Sequence, residues 1–399
     1  MSQTKNSIIF ILAIAIAASC GSDTTTIKHD IELAKNFKID SEKVVKVPKT
    51  LPILKTIPDV YANQVARFMA GLAQEGDNEL KNLEGISKWQ KYSKKFDTLW
   101  LKLERSRLNK ERKWAKTETA TPDGETEFLF YPFSGADFMH GYTFFPNARK
   151  MVLIGLEPPG SLPELENLKQ DSGKVYFGSI QKSLFSVLQW SFFRTNSMAK
   201  DLKTKELDGT LPLIMIFMAR TGNTVLKAQP IYIDSNGKES FKTFASRNHR
   251  GVRIIYKSAG SDVEKELCYY KADISDMGLQ ADRAFYKLLQ SFDFQSTYLK
   301  SASYLMHNDY FSTVRTLILE KSKYVLQDDS GIPFRFFKPT KWNTVLYGTY
   351  DRPISLFKNR FQKDFKEAYS DSTNVKPLPF GIGYDWMENT SNLMLAKKK

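Results

Sequence analysis

The chain has 399 residues, 42% of them hydrophobic and 13% aromatic, with a formal net charge of +14. That much apolar and aromatic material supports a packed core of one large or two medium domains and excludes a disordered chain. With only 2 cysteines, Cys20 and Cys268, a disulfide scaffold and a cysteine-rich metal centre are excluded as well.

The first residues read MSQTKNSIIFILAIAIAASCGSD. Lys5 provides a positive start, and Ile8–Ala18 is an unbroken apolar run. It falls short of the roughly 20 residues that a spanning helix needs, and fits the hydrophobic part of a secretory signal. The small residues Ala17-Ala18-Ser19 before Cys20 resemble the lipobox of bacterial lipoproteins, with alanine at position 17 where that family usually has leucine. The resemblance implies a diacylglyceryl group on the Cys20 sulfur, cleavage just before it and acylation of the new amine. It also implies a membrane anchor, because several acyl chains hold a protein stably where one does not. Gly21 stands where an inner-membrane retention signal would have aspartate, so the expected address is the outer membrane. Removing residues 1–19 takes away Lys5 and no acid, lowering the formal charge from +14 to +13. A basic surface favours anionic envelope ligands such as lipid headgroups, lipopolysaccharide phosphates or acidic glycans, or a protein partner. No helix-turn-helix, zinc-finger or basic-zipper pattern is present, so nucleic acid is not an expected partner. Cys268, with Cys20 acylated, is expected to be a buried small hydrophobe.

In chain order, residues 20–50 are polar and read as a lipidated tether, 51–120 as a helical region and 121–396 as a mixed α/β body. Asp59 opens a helix on which Val60, Gln64, Val65, Phe68, Met69 and Leu72 share helical spacing, closed by Gly76. A longer helix from about Leu83 to Thr117 carries a stripe of Ile86, Trp89, Phe96, Trp100, Leu103 and Arg107, read as the face packed on a core. Thr121–Gly124 is a turn. Phe128–Phe133 and Met151–Leu156 are strand-like apolar runs with a polar connector between them. Lys174–Phe177 reads as a short strand, Ser179–Thr195 as a helix, and Leu211–Met218 as a buried strand. Thr224–Ile233 is a further strand turning at Asp234–Gly237, and Gly251–Lys257 with Lys265–Ala272 form a hairpin. Residues 279–325 read as largely helical, Phe334–Phe337 and Thr344–Tyr350 as strands, and Ile354–Tyr369 as the last helix. The fold class is therefore α/β with a mixed sheet, a Rossmann-like core being one form of it, behind a helical N-terminal region.

The candidate ligand-binding residues are Ser134, Gly135, Asp137, His140 and Glu157. The two apolar runs around them end in Ser134-Gly135-Ala136-Asp137 and in Glu157-Pro158-Pro159-Gly160. Polar groups at the ends of neighbouring parallel strands are where open α/β sheets hold ligands. Pro132–Asp137 followed by Glu157 resembles the cofactor loop and ribose-binding acid of Rossmann-like methyltransferases. That resemblance implies a nucleotide-type site, but only one loop glycine is present and Asp137 stands where the family has a small residue. An envelope location also sets it apart from S-adenosylmethionine, so no cofactor is expected. Tyr131–Asp137 further resembles the Y-P-F-S-G-x-D segment of uncharacterised envelope lipoproteins, which implies no activity.

Histidines 29, 140, 249 and 307 lack metal-binding spacing, and no metal site is expected. A Ser134 triad with His307 and Asp328 would have to assemble in space. Asp328, Asp329 and Ser330 form an oxygen-rich turn, and Trp342, Tyr347, Tyr350, Phe380 and Trp386 form a late aromatic group read as core or as a binding surface. The expected function is a lipid-anchored extracytoplasmic protein that binds a ligand or assists envelope assembly. The alternative is an extracytoplasmic transferase or hydrolase acting at residues 131–157.

Overall fold

The structure, a computed structural model, describes residues 56–119, 128–165, 170–192, 208–241, 249–371 and 373–399. The signal sequence, Cys20, the tether and the Thr121–Gly124 turn lie outside the described residues. Asp59 caps helix α1 (Val60–Met69) by accepting from the Ala62 amide. After a short helix α2 (Glu79–Leu83), α3 (Ser87–Leu103) runs through a π-helical turn at Glu104–Leu108 into α4 (Asn109–Glu118). A π-turn inserts one residue and rotates the helix beyond it, a device common at functional sites. Trp89, Tyr92, Phe96, Trp100 and Leu103 before this turn, Arg107 within it, and Glu111 and Trp114 after it are all buried.

The body contains β1 (Phe128–Tyr131), α5 (Phe138–Phe144), β2 (Lys150–Gly155), α6 (Gln170–Trp190), α7 (Leu211–Arg220), β3 (Thr224–Ile233) and β4 (Glu239–Phe241). It continues with β5 (Gly251–Lys257), β6 (Glu264–Lys271), α8 (Asp276–Ala281), α9 (Arg283–Ser291), β7 (Ser296–Leu299), α10 (Ser312–Lys321) and β8 (Tyr324–Gln327). The last elements are β9 (Trp342–Gly348), α11 (Lys363–Ser370), β10 (Val375–Lys376) and β11 (Asn392–Lys398).

All these strands join one mixed sheet in the order β10-β9-β11-β8-β7-β1-β2-β6-β5-β3-β4. The central block β8-β7-β1-β2-β6 is parallel. Counted from β6 in chain order, those five strands run third, second, first, fourth, fifth, which is the order of a doubly wound α/β sheet. β11 is antiparallel to both β8 and β9 and lies between them. Strand side chains alternate between two cores, as the two-residue period requires. Leu129, Tyr131, Leu153, Tyr269, Tyr298, Leu326 and Leu395 face one core with α1, α3, α4, α5 and α7. Phe130, Val152, Ile154, Cys268, Leu299, Val325 and Met394 face the other with α9 and α10. Cys268 is fully buried there, as expected.

Several sequence expectations are corrected. Lys174–Phe177 is part of helix α6, not a strand. Leu211–Met218 is helical: Leu211–Ala219 is buried along its whole length, so no amphipathic period marks it. Pro212 sits in its first turn, where a missing N–H costs nothing. Residues 279–325 include strand β7 and the start of β8, of four residues each. Phe334–Phe336 is a 3-10 turn. The first helix stops at Ala70, before Gly71, rather than at Gly76.

Candidate functional site

The chain after β1 returns through α5 to β2 on one side, while β7 lies on β1's other flank. Between β1 and β7 the winding therefore reverses, and ligands of open α/β sheets sit in the crevice outside the strand ends at such a point. Five non-glycine residues have positive φ among the described residues: Phe133 (61°), Ser191 (71°), Ser301 (51°), Ser303 (52°) and Tyr304 (54°). Phe133 follows β1, the last three follow β7, and Ser191 touches side chains from both. Each left-handed residue costs about 1–3 kcal/mol and persists only where its surroundings enforce it.

Asp137 is the hub. As N-cap of α5 it accepts from the His140 amide at 3.2 Å, so α5 fixes both side chains on one end of the helix. Its Oδ1 lies 2.9 Å from His140 Nδ1, and its Oδ2 accepts from the Tyr131 hydroxyl at 2.8 Å and from Lys300 Nζ at 2.5 Å. Lys300, the residue after β7, also donates to the Ser191 carbonyl at 2.5 Å and lies 3.0 Å from His140 Nδ1. On the far side of the imidazole, Nε2 stands 3.4 Å from Ser191 Oγ and 3.8 Å from Glu111 Oε1. All of these groups are buried.

Burial alone would raise the Asp137 carboxyl, but His140 and Lys300 outweigh it and hold it well below the usual carboxylate range. His140 is pushed down to about 4 by burial, only partly offset by Asp137, so its ring is neutral at neutral pH. Glu111 is pushed up to about 8 by burial against the pull of Arg107 and Lys300, so it is a neutral acid. Among the described residues, neither Glu111 oxygen has a hydrogen-bond partner, and neither has Arg107 Nη1 or the Tyr298 hydroxyl. Unpartnered buried polar atoms are uncommon, and several in one place mark a site built for something other than stability.

Of the five expected site residues, Asp137 and His140 come together in this cluster. Ser134, Gly135 and Glu157 form a second group at the end of β2. The Ser134 amide donates to the Ile154 carbonyl at 3.0 Å, and Tyr269 donates to the Glu157 carbonyl at 2.8 Å with Glu157 Oε2 at 3.4 Å. A Cβ on Gly155 would lie 2.5 Å from Glu157 Oε2 and 3.1 Å from the Gly135 Cα, so a bare glycine is what lets the two strand-end loops meet. Ser134 and Glu157 are buried and engaged by their own chain.

The triad of Ser134 with His307 and Asp328 is not what forms. Asp328 accepts from the Ser301 and Ser330 amides, and Asp329 from Tyr304 and Asn392. This oxygen-rich turn thereby holds the left-handed loop after β7. Of the late aromatic residues, Trp342, Tyr347, Tyr350 and Phe380 are core; Trp386 is half-buried and faces a groove.

That groove, of about 740 Å³, runs between α3 with its π-turn, α6 and residues 381–388. Its apolar wall includes Phe96, Leu99, Leu103, Leu184, Leu188 and Trp386. Lys95, Lys102 and Lys182 stand along it, exposed and without an ion pair among the described residues. Its one acid, Glu388, is paired with Lys110 at 2.6 Å. Arg107 links the groove to the buried cluster: it lines the groove, reaches the Gln189 carbonyl at 3.5 Å and lies one helical turn before Glu111.

No family model matches the chain, and neither does any curated protein or solved structure. The site's own geometry therefore carries the functional argument. Sequence reading missed Glu111, Ser191 and Lys300. Glu111 was within reach, because extending the Trp89–Arg107 stripe by one turn lands on it. Lys300 and Ser191 join Asp137 from elements distant in sequence, and nothing local marks either.

Proposed function

We propose that this chain is a lipid-anchored cell-envelope protein, attached through Cys20, that binds an anionic amphiphile in the groove between α3, α6 and residues 381–388. The observation that carries this is the pairing of an apolar trough with unpaired cations. An apolar cavity of several hundred Å³ with a few well-placed polar groups is the usual form of a small-molecule site. Lysines beside apolar wall suit a ligand with a hydrocarbon tail and a negative head. The sequence reading of an anionic envelope ligand points the same way.

The test is thermal unfolding of the soluble chain beginning after Cys20, with dodecyl phosphate, dodecanol and dodecyltrimethylammonium below their micellar concentrations. Dodecyl phosphate at a hundred times its Kd is expected to add about 2.7 kcal/mol of stability. Dodecanol should add less and the cation none. The double variant Lys102→Glu, Lys182→Glu should lose the phosphate effect. Equal shifts with all three amphiphiles, or an undiminished shift in the double variant, would rule the reading out. Anchoring is checked separately: Cys20→Ala should move the protein from the membrane fraction to the soluble fraction.

A further inference from the structure

We propose that Ser191, His140 and Asp137 form a nucleophile–base–acid triad that cleaves an acyl ester held in the groove. This rests on the groove reading above for its substrate class, but on separate residues for its chemistry.

The geometry meets the roles such a triad requires. Ser191 Oγ is 3.4 Å from His140 Nε2, within the looser range seen before substrate binds. His140 Nδ1 is 2.9 Å and 3.1 Å from the two Asp137 oxygens. A proton on Nδ1 satisfies that carboxylate. The opposite tautomer would point a ring lone pair at both oxygens. Lys300 Nζ, 3.0 Å from the same Nδ1, is already bonded to Asp137 Oδ2 and to the Ser191 carbonyl, so we assign the ring proton to Nδ1 and the acceptor facing Ser191 to Nε2, the tautomer a general base needs. Lys300 and Tyr131 hold Asp137 from its other side, and Lys300 also holds the Ser191 carbonyl. Ser191 carries its hydroxyl on a left-handed backbone at φ 71°, just past the end of α6. Strained residues of this kind cluster at active sites.

The groove supplies the rest. Leu188 and Gln189, three and two residues before Ser191, line it, and Arg107, whose guanidinium reaches the Gln189 carbonyl, lines it too. Arg107 Nη1 is buried without a partner among the described residues, a donor for the carbonyl oxygen of a bound ester. In the reaction, Ser191 Oγ attacks the ester carbon while its proton passes to His140 Nε2. The imidazolium returns that proton to the departing alcohol, leaving the acyl group on Ser191. Water then attacks the acyl carbon with His140 as base, releasing the carboxylic acid and restoring the hydroxyl. No oxidant or cofactor is needed. Ser191 is fully buried in this structure, so the groove wall must open for a carbonyl to reach it, and reaction is expected to need an amphiphile of groove-filling length.

The experiment is treatment of the chain beginning after Cys20 with a long-chain alkyl fluorophosphonate, followed by peptide mass spectrometry, alongside turnover of 4-nitrophenyl esters of two to twelve carbons. The expected result is one label on Ser191, and ester turnover that rises with chain length. Ser191→Gly should abolish both while folding normally, since glycine accepts the positive φ. His140→Gln and Asp137→Asn should each slow turnover by at least a hundredfold. Dodecyl phosphate binding should persist in Ser191→Gly. Label on a different residue, or no label and no turnover in a folded protein that still binds dodecyl phosphate, overturns the triad and leaves the groove. Loss of dodecyl phosphate binding by the wild type overturns the groove, whereas labelling of Ser191 with turnover independent of chain length keeps the triad and removes its substrate class.

Discussion

Glu111 and His140 face each other across 3.8 Å without forming an ion pair. Burial has pushed the acid up to about 8 and the imidazole down to about 4, so both are neutral across the intervening range. The two shifts have one origin, the removal of both groups from water, and opposite signs because one group is charged when it loses a proton and the other when it gains one.

The first prediction concerns Glu111. Its folded pKa lies above its unfolded value, so its contribution is complete below about 4.5 and is lost as pH rises towards 8. In that window the slope is on the order of 1.4 kcal/mol per pH unit. Glu111→Gln keeps the shape and removes the titration. Its melting temperature should match the wild type near pH 5 and exceed it near pH 9. A constant gap at both pH values would show that Glu111 does not carry the shift.

Lys300 is the second case. Lys300→Met leaves the Asp137 carboxylate buried without its cation, and breaking a buried pair in this way costs about 3–5 kcal/mol. Adding Asp137→Asn should recover much of the loss. Urea unfolding of the two single variants and the double variant gives the coupling energy, and additive losses would mean that the 2.5 Å contact contributes nothing specific.

Ser301 combines φ 51° with a buried hydroxyl that has no hydrogen-bond partner among the described residues. Ser301→Gly removes both penalties. It should raise stability by about 1 kcal/mol, read as a higher urea midpoint at unchanged slope. A lower midpoint would place a favourable interaction on that hydroxyl.

Gly155 is the reverse case. An alanine methyl there would stand 2.8 Å from the Tyr269 hydroxyl as well as 2.5 Å from Glu157 Oε2. Gly155→Ala should destabilise by about 1–3 kcal/mol, the usual range for overpacking. Pairing it with Glu157→Ala should return part of the loss in thermal melts, and no recovery would mean that the Tyr269 hydroxyl or the Gly135 backbone is the obstacle.

Local period and punctuation decided which elements were legible in the sequence. Phe128–Tyr131 and Lys150–Gly155 alternate between two cores and end in turns, so β1, β2 and the residues just beyond them could be read directly. LPLIMIFMA is apolar throughout and could be arbitrated only by Pro212. STYL and YVLQ are too short to show a period, so β7 and β8 were hidden, and Lys300 at the end of β7 was hidden with them. Asp137 and His140 were readable because both lie in the polar connector that follows the first strand-like run. Glu111 joins them through packing of α4 against α5, and Ser191 from just past the end of α6, which packs on α3; no local pattern records either.

Strand β11 has a consequence for how the molecule is made. It lies between β8 and β9, and all three are paired side by side in one sheet. Both neighbours precede it in synthesis, so during translation each waits with an open edge for residues 392–398. The parallel block and the β9–β10 pair therefore cannot be joined until that late segment has been made. A chain ordered in this way keeps its sheet in two parts until residues 392–398 pair with both edges at once.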